Sequence, residues 1–159
     1  MKITVLAVGK IKEKFYTEAV REYAKRLSRY CELNLTEVED EPTPETASVK
    51  QEQQIREKEG ERLLSKIPAG ARVIALAIEG KERDSVTLSK HLSELTLAGN
   101  SHLVFLIGGS LGLSEAVLNR ADEQMSFSRL TFPHQLMRVI LLEQIYRSFR
   151  IARNEPYHK

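Results

Sequence analysis

Two groups of residues in the last third of the chain have types and spacing suited to chemistry. Gly108-Gly109-Ser110-Leu111-Gly112 follows directly on the apolar run HLVFLI. Glycine lets a backbone approach a ligand closely, and open α/β sheets bind ligands at the carboxyl ends of their strands. The same five residues match G-x-S-x-G, the turn that presents a serine nucleophile, and Asp122 and His134 follow Ser110 in the order such a hydrolase requires. The second group is the chain end Tyr157-His158-Lys159, which joins a ring able to stack on a base, an imidazole that titrates near neutral pH and a cation.

A third segment, Phe127-Ser128-Arg129-Leu130-Thr131-Phe132, runs into Pro133-His134. Its apolar side chains and backbone donors suit an uncharged aromatic base such as adenine, and serve equally well as core. Other signatures are missing. Val8-Gly9-Lys10 does not continue into G-x-G-x-x-G, and no G-x-x-x-x-G-K-[ST] occurs. His91, His102, His134 and His158 are scattered, so no metal site is expected. Cys31 is the only cysteine, which excludes an internal disulfide and fits a reducing, cytoplasmic setting. The opening ITVLAV is too short for a signal sequence or membrane span, and no membrane association is expected.

The elements that must position these residues alternate along the chain. KITVLAV reads as a strand, then a helix runs through Phe15, Val20, Tyr23 and Leu27, and ELNLTEV alternates as a second strand. The acidic, proline-bearing stretch DEPTPETAS reads as a loop before a charged helix ending near Ile67. There follow the strand RVIALAI, a helix capped by Ser85 and ending near Gly99-Asn100, the strand HLVFLI, a short helix capped by Ser114, a short strand around MSFS, and a long helix from about Gln135 to Ala152. This order predicts an α/β fold, a mostly parallel sheet flanked by helices, in one domain spanning 1–159. Three loops at strand carboxyl ends, Glu79 to Asp84, Gly108 to Leu113 and Phe127 to His134, then wall one pocket.

The net charge of +2 is unevenly spread. Residues 1–31 carry eight Lys/Arg against three acids and residues 126–159 six against two, while the middle is acidic. Both chain ends therefore attract phosphate, although ordinary surface charge explains an excess of this size as well. The last helix has apolar residues around nearly its whole circumference, from Leu136 to Phe149. Either it is buried centrally, or its second side faces another copy of the chain, and the homodimer is the preferred reading.

MKITVLAVGK, IGGSLG, SFSRLTFPHQLMRVILLEQIYRSFR and PYHK together resemble the ribosomal large subunit methyltransferase H family, small SPOUT-class enzymes, over essentially the whole chain. The resemblance implies methyl transfer from S-adenosylmethionine to N3 of a pseudouridine in the intersubunit stem-loop of 23S rRNA, on the ribosome, by a homodimer with a carboxyl-terminal trefoil knot. It implies donor contacts at Leu76, Gly108 and Phe127, Ser128, Arg129, Leu130, Thr131 and Phe132. The roles expected on mechanistic grounds are Tyr157 stacking on or orienting the target base, His158 assisting imide deprotonation, and Arg138, Arg147, Arg150 and Lys159 holding RNA phosphates.

A serine hydrolase using Ser110 and a non-catalytic RNA-binding protein are the rival readings. One substitution separates the two enzymes: Ser110→Ala is expected to reduce methyl transfer only modestly, whereas a serine hydrolase would lose all turnover.

Overall fold

The computed structural model describes residues 1–159. Strands and helices alternate as β1 (Lys2–Val8), α1 (Lys14–Leu27), β2 (Glu32–Val38), α2 (Val49–Lys66), β3 (Arg72–Glu82), α3 (Ser85–Leu97), β4 (His102–Ile107), α4 (Glu115–Arg120), β5 (Glu123–Ser126) and α5 (His134–Ala152). The five strands form one sheet in the order β2-β1-β4-β3-β5, every neighbouring pair parallel. No helix is long and apolar enough to cross a membrane.

Helices cover both faces, so the inner strands read as continuous apolar runs. Alternate residues feed two cores. Ile3, Val5, Ala7, Leu103, Phe105 and Ile107 point to the face that Leu27 of α1, Leu88 and Leu92 of α3 and Leu141, Leu142 and Ile145 of α5 close. Leu6, Val8, Val73, Ala75, Val104 and Leu106 point to the opposite face, under Leu63 of α2 and Val117 of α4. Three helix starts, those of α2, α3 and α4, are fixed by side chains. Ser48 and Gln51 form a reciprocal capping box at α2, and Ser114 accepts from Val117 N–H at α4, as its sequence position suggests.

The structure differs from the sequence reading at three boundaries. β3 does not stop after RVIALAI: it continues to Glu82 because Lys81 and Glu82 pair again with Met125 and Ser126, after a break in register that follows Leu76. Gly80 makes this possible, since a Cβ there would lie 2.6 Å from Met125 N. The cap of α3 is Asp84, whose carboxylate accepts from Thr87 N–H, while Ser85 donates its hydroxyl hydrogen to Gln144 on α5. β5 starts at Glu123, earlier than MSFS.

The apolar circumference of α5 is largely explained within one chain. The helix lies on the sheet near β4 between α1 and α3, which buries Leu141, Leu142, Ile145 and Tyr146 and leaves Leu136, Val139 and Ile140 half-buried.

The α2–α4 contact is close enough to fail on one methyl group. A Cβ at Gly60 would lie 2.4 Å from Ser114 Oγ and 3.0 Å from Val117 Cγ2, and Ser114 is held in place by its cap. Gly60→Ala is therefore expected to destabilise the fold by about 1–2 kcal/mol despite alanine's better helix propensity, read as a lower urea midpoint.

Candidate active site

The carboxyl ends of β3, β4 and β5 open into a cavity of about 690 Å³. Its walls are Leu76 to Ile78, Ile107 to Leu113, and the segment from Met125 through His134 to Met137, with Leu118 of α4. Of the residues expected to hold a donor, Leu76, Gly108, Phe127, Ser128, Leu130, Thr131 and Phe132 line it; Arg129 is exposed and does not. The first wall lies at Leu76 to Ile78 instead of the expected Glu79 to Asp84, because the extended β3 carries 80–82 past the cavity to pair with β5.

Glycine is required in the second wall. Gly112 N–H donates to Gly109 O at 3.1 Å, closing a tight turn in which Gly112 has φ of 82°. A Cβ at Gly108 would stand 2.8 Å from Gly112 C. The third wall is shaped by serines: Ser126 Oγ donates to Ser128 O at 3.0 Å, and Leu130 N–H donates to Ser128 Oγ at 2.9 Å. These bonds hold Leu130 outward at the cavity rim, 70% exposed.

No carboxylate, lysine or arginine lines the cavity, and His134 is its only titratable side chain. Desolvation, with the nearby Arg138 charge, holds the His134 imidazole below its ordinary pKa, so the ring is neutral at neutral pH. In the sequence His134 stands out only as a hydrolase-type partner of Ser110 and as the end of the loop from Phe127. Its position immediately after the cavity-lining segment was the available signal.

Arg138 corrects an expectation. It is 5% exposed, donates through Nη2 to Val8 O at 3.0 Å and Gly9 O at 2.7 Å, and pairs through Nη1 with Glu37. A guanidinium committed to the end of β1 does not face an RNA phosphate. Arg147 and Arg150 are also engaged, in anchoring the chain terminus. Arg147 bonds Glu143, lies over the Tyr157 ring with 4.6 Å to its centroid, and donates to His158 Nδ1 at 3.1 Å. Arg150 pairs with Glu155 and donates to Tyr30 Oη and Pro156 O. Lys159 is exposed. So are Lys10 and Lys12 between β1 and α1, where Lys12 N–H donates to Gln135 at the start of α5, and Lys14 at the start of α1.

The terminus is thus docked. Asn154, at φ 54°, turns the chain back after α5. The Tyr157 ring packs edge-on to Tyr146 at 4.9 Å, and its hydroxyl donates to Glu143 at 3.0 Å. Burial, then the Glu143 carboxylate, pushes the phenol up to about 12. Neither Tyr157 nor His158 lines the cavity of its own chain. Arg147, which holds His158, is about 20 Å along α5 from His134 at 1.5 Å per residue.

The hydrolase arrangement is not assembled. Asp122 Oδ2 accepts from Val73 N–H at 2.7 Å and sits with Arg72 and Arg120 at the start of β3, the opposite edge of the sheet from Ser110.

A family profile described as "Predicted SPOUT methyltransferase" matches residues 1–158. The chain belongs to this family. It is 56% identical over 159 residues to ribosomal RNA large subunit methyltransferase H 1 of Clostridium perfringens strain SM101, and 58% identical over 159 residues to ribosomal RNA large subunit methyltransferase H of Bifidobacterium adolescentis, covering 100% of both chains in each case. Its fold is similar to that of a probable methylase family protein from Haemophilus influenzae, with a TM-score of 0.57 at 10% identity over 99% of this chain and 70% of the other. Family membership and the distance of Asp122 from Ser110 and His134, which line the cavity without it, exclude the hydrolase reading.

Removing the Arg150 bonds should free the terminus without unfolding the sheet. Arg150→Ala is expected to speed carboxypeptidase release of Lys159 and His158 several-fold, followed by mass spectrometry. In the unaltered chain one tyrosine should ionise at about 12 in a spectrophotometric titration, and Glu143→Gln should move it back toward 10.

Proposed function

We propose that this chain methylates N3 of a pseudouridine in 23S rRNA, with S-adenosylmethionine as donor and the assembled ribosome as substrate, working as a homodimer in the cytoplasm. The observation that carries the reading is the cavity built from the three segments around Leu76, Gly108 and Phe127–Phe132, in a chain that belongs to a methyltransferase family and has ribosomal RNA methyltransferases as full-length relatives. Its lining fits the donor: apolar walls suit an adenine ring, and the Gly108–Gly112 turn, too tight for a side chain at Gly108, presents backbone to the cavity. Leu76, Gly108 and Phe127 to Phe132 would hold that ligand. Arg129 belongs at the rim, where its exposed charge faces RNA.

A sulfonium methyl group is already activated, so the protein's work is alignment and proton removal. The acceptor nitrogen carries a hydrogen that must leave as the N–CH₃ bond forms. Tyr157 orients the base and His158 receives the proton. In this structure Arg147 donates to His158 Nδ1, so the neutral ring carries its hydrogen on Nε2, and Nδ1 takes the acceptor's proton once it exchanges the Arg147 N–H for the imide N–H. Because these side chains are docked far along α5 from the cavity of their own chain, the site is completed by the terminus of a second copy. The half-buried Leu136, Val139 and Ile140 supply an apolar stripe for that contact. The exposed Lys10, Lys12, Lys14 and Lys159, together with Arg147 and Arg150 at the docked terminus, attract phosphate. The trefoil knot belongs to the same reading, supported by a chain that lays β5 outside β3 and then returns α5 across β4 to α1.

The direct test is transfer of a labelled methyl group to assembled ribosomes and to free large-subunit rRNA, with the product nucleotide mapped by mass spectrometry. Modification of one pseudouridine in ribosomes is expected; no incorporation into either substrate would overturn the assignment. The shared site has its own test. Gly108→Ala and Tyr157→Ala should each be inactive alone, and an equal mixture re-equilibrated as dimers should recover about one quarter of the original activity, because half the dimers are mixed and each has one intact site. A site contained in one chain would give no recovery.

A further inference from the structure

Glu59 of α2 is 4% exposed and lies directly behind the glycine turn. Its Oε2 accepts from Glu41 N–H at 3.0 Å, while Oε1 is buried without any partner. A Cβ on Gly109 would be 3.2 Å from Oε1 and 3.3 Å from Oε2, so only the absence of a side chain at Gly109 lets the carboxyl approach this closely. Gly109 itself lines the cavity. The carboxyl therefore lies one peptide layer from a pocket whose walls hold no charged side chain.

The proposed donor carries a sulfonium and an ammonium against one carboxylate, a net positive charge that meets no anion on the cavity walls. Its product after methyl transfer is a thioether with one positive charge fewer. We propose that Glu59 supplies the counter-charge to the donor through the Gly109 peptide, and so makes the pocket favour the sulfonium donor over its thioether product. The inference rests on the donor reading above. It requires an anion held in low dielectric, where a charge acts over several ångströms with little screening. Glu59 meets this condition, because Arg62 is occupied by Glu39 O and Glu41 and does not bond it. Burial raises the acid above the ordinary carboxylate range, with Asp40 and Glu41 of the preceding loop adding to the rise, while Glu41 N–H and Arg62 oppose it. The counter-charge is present above that raised pKa and is lost as pH falls through it. Across Gly9, His134 also faces Asp40, so the comparison must include a variant that changes Glu59 alone.

Titration calorimetry with S-adenosylmethionine and S-adenosylhomocysteine, from about pH 5.5 to about pH 8.5, tests the inference. At the upper end Glu59→Gln should weaken the sulfonium ligand about tenfold and the thioether less than twofold. In the unaltered protein the preference should shrink as pH falls, and binding of the sulfonium ligand should release protons, seen as a dependence of the heat on the buffer's ionisation enthalpy. Equal weakening of both ligands, or a preference that is flat with pH and unchanged by Glu59→Gln, would overturn the role of Glu59 and leave the donor reading standing. Failure of the unaltered protein to bind either ligand would overturn both. Should Glu59→Gln unfold, the pH series is repeated on His134→Gln, which removes the other titratable group at the cavity: a preference that still shrinks as pH falls supports Glu59, and one that is flat with pH overturns it.

Discussion

The buried guanidinium of Arg138 joins the sheet to its longest helix, and the geometry of the cavity depends on that bond. A parallel strand ends in carbonyl groups that no further strand satisfies, and inside a protein such groups need donors. Arg138 reaches from the second turn of α5 to Val8 O and Gly9 O, and Glu37 from the end of β2 balances its charge. One side chain thereby ties β1, β2 and α5 together. It also fixes the three residues at the cavity, His134, Met137 and Pro133, since they share the first turn of the helix. Removing Arg138 would leave the buried Val8 and Gly9 carbonyls without these donors, which costs more than the bonds themselves contribute, whereas the exposed Glu37 would be hydrated.

α5 then separates two kinds of chemistry. Its first turn borders a largely apolar pocket without charged walls; its carboxyl-terminal half carries a dense polar cluster in which Glu143, Arg147 and Arg150 hold Tyr157, His158 and Glu155. Leu141, Leu142 and Ile145, wholly buried between these ends, make the helix a rigid spacer. A rigid spacer cannot fold back on itself. Within one chain the pocket and the docked terminus therefore stand apart, which is the geometry from which the proposal of a site shared between two copies starts.

Much of this was legible in the amino-acid sequence. The alternation of strand and helix, the parallel class of the sheet, the Ser114 cap and two of the three segments that wall the cavity, Gly108 to Leu113 and Phe127 to His134, rest on local signals: apolar period, glycine clusters and capping residues. The family resemblance rests on the same contiguous motifs, and the full-length relatives agree with it. Local signals failed where a distant segment supplied the partner. β3 extends to Glu82 only because β5 returns to pair with it, and Asp84 displaces Ser85 as the cap while Ser85 bonds Gln144, 59 residues away.

By itself the sequence determined which segments are strands and helices, where glycine must stand, and which residues are candidates for chemistry, because these follow from side-chain shape and short-range hydrogen bonding. Tertiary structure decided what each charge does. Arg138 looked like any cation on a helix, yet it is turned inward on strand-end carbonyls; Glu59 looked like one acid in a charged helix, yet it is buried behind Gly109. The direction a long polar side chain takes depends on which buried groups lie within reach, and that is fixed only when remote parts of the chain have packed together.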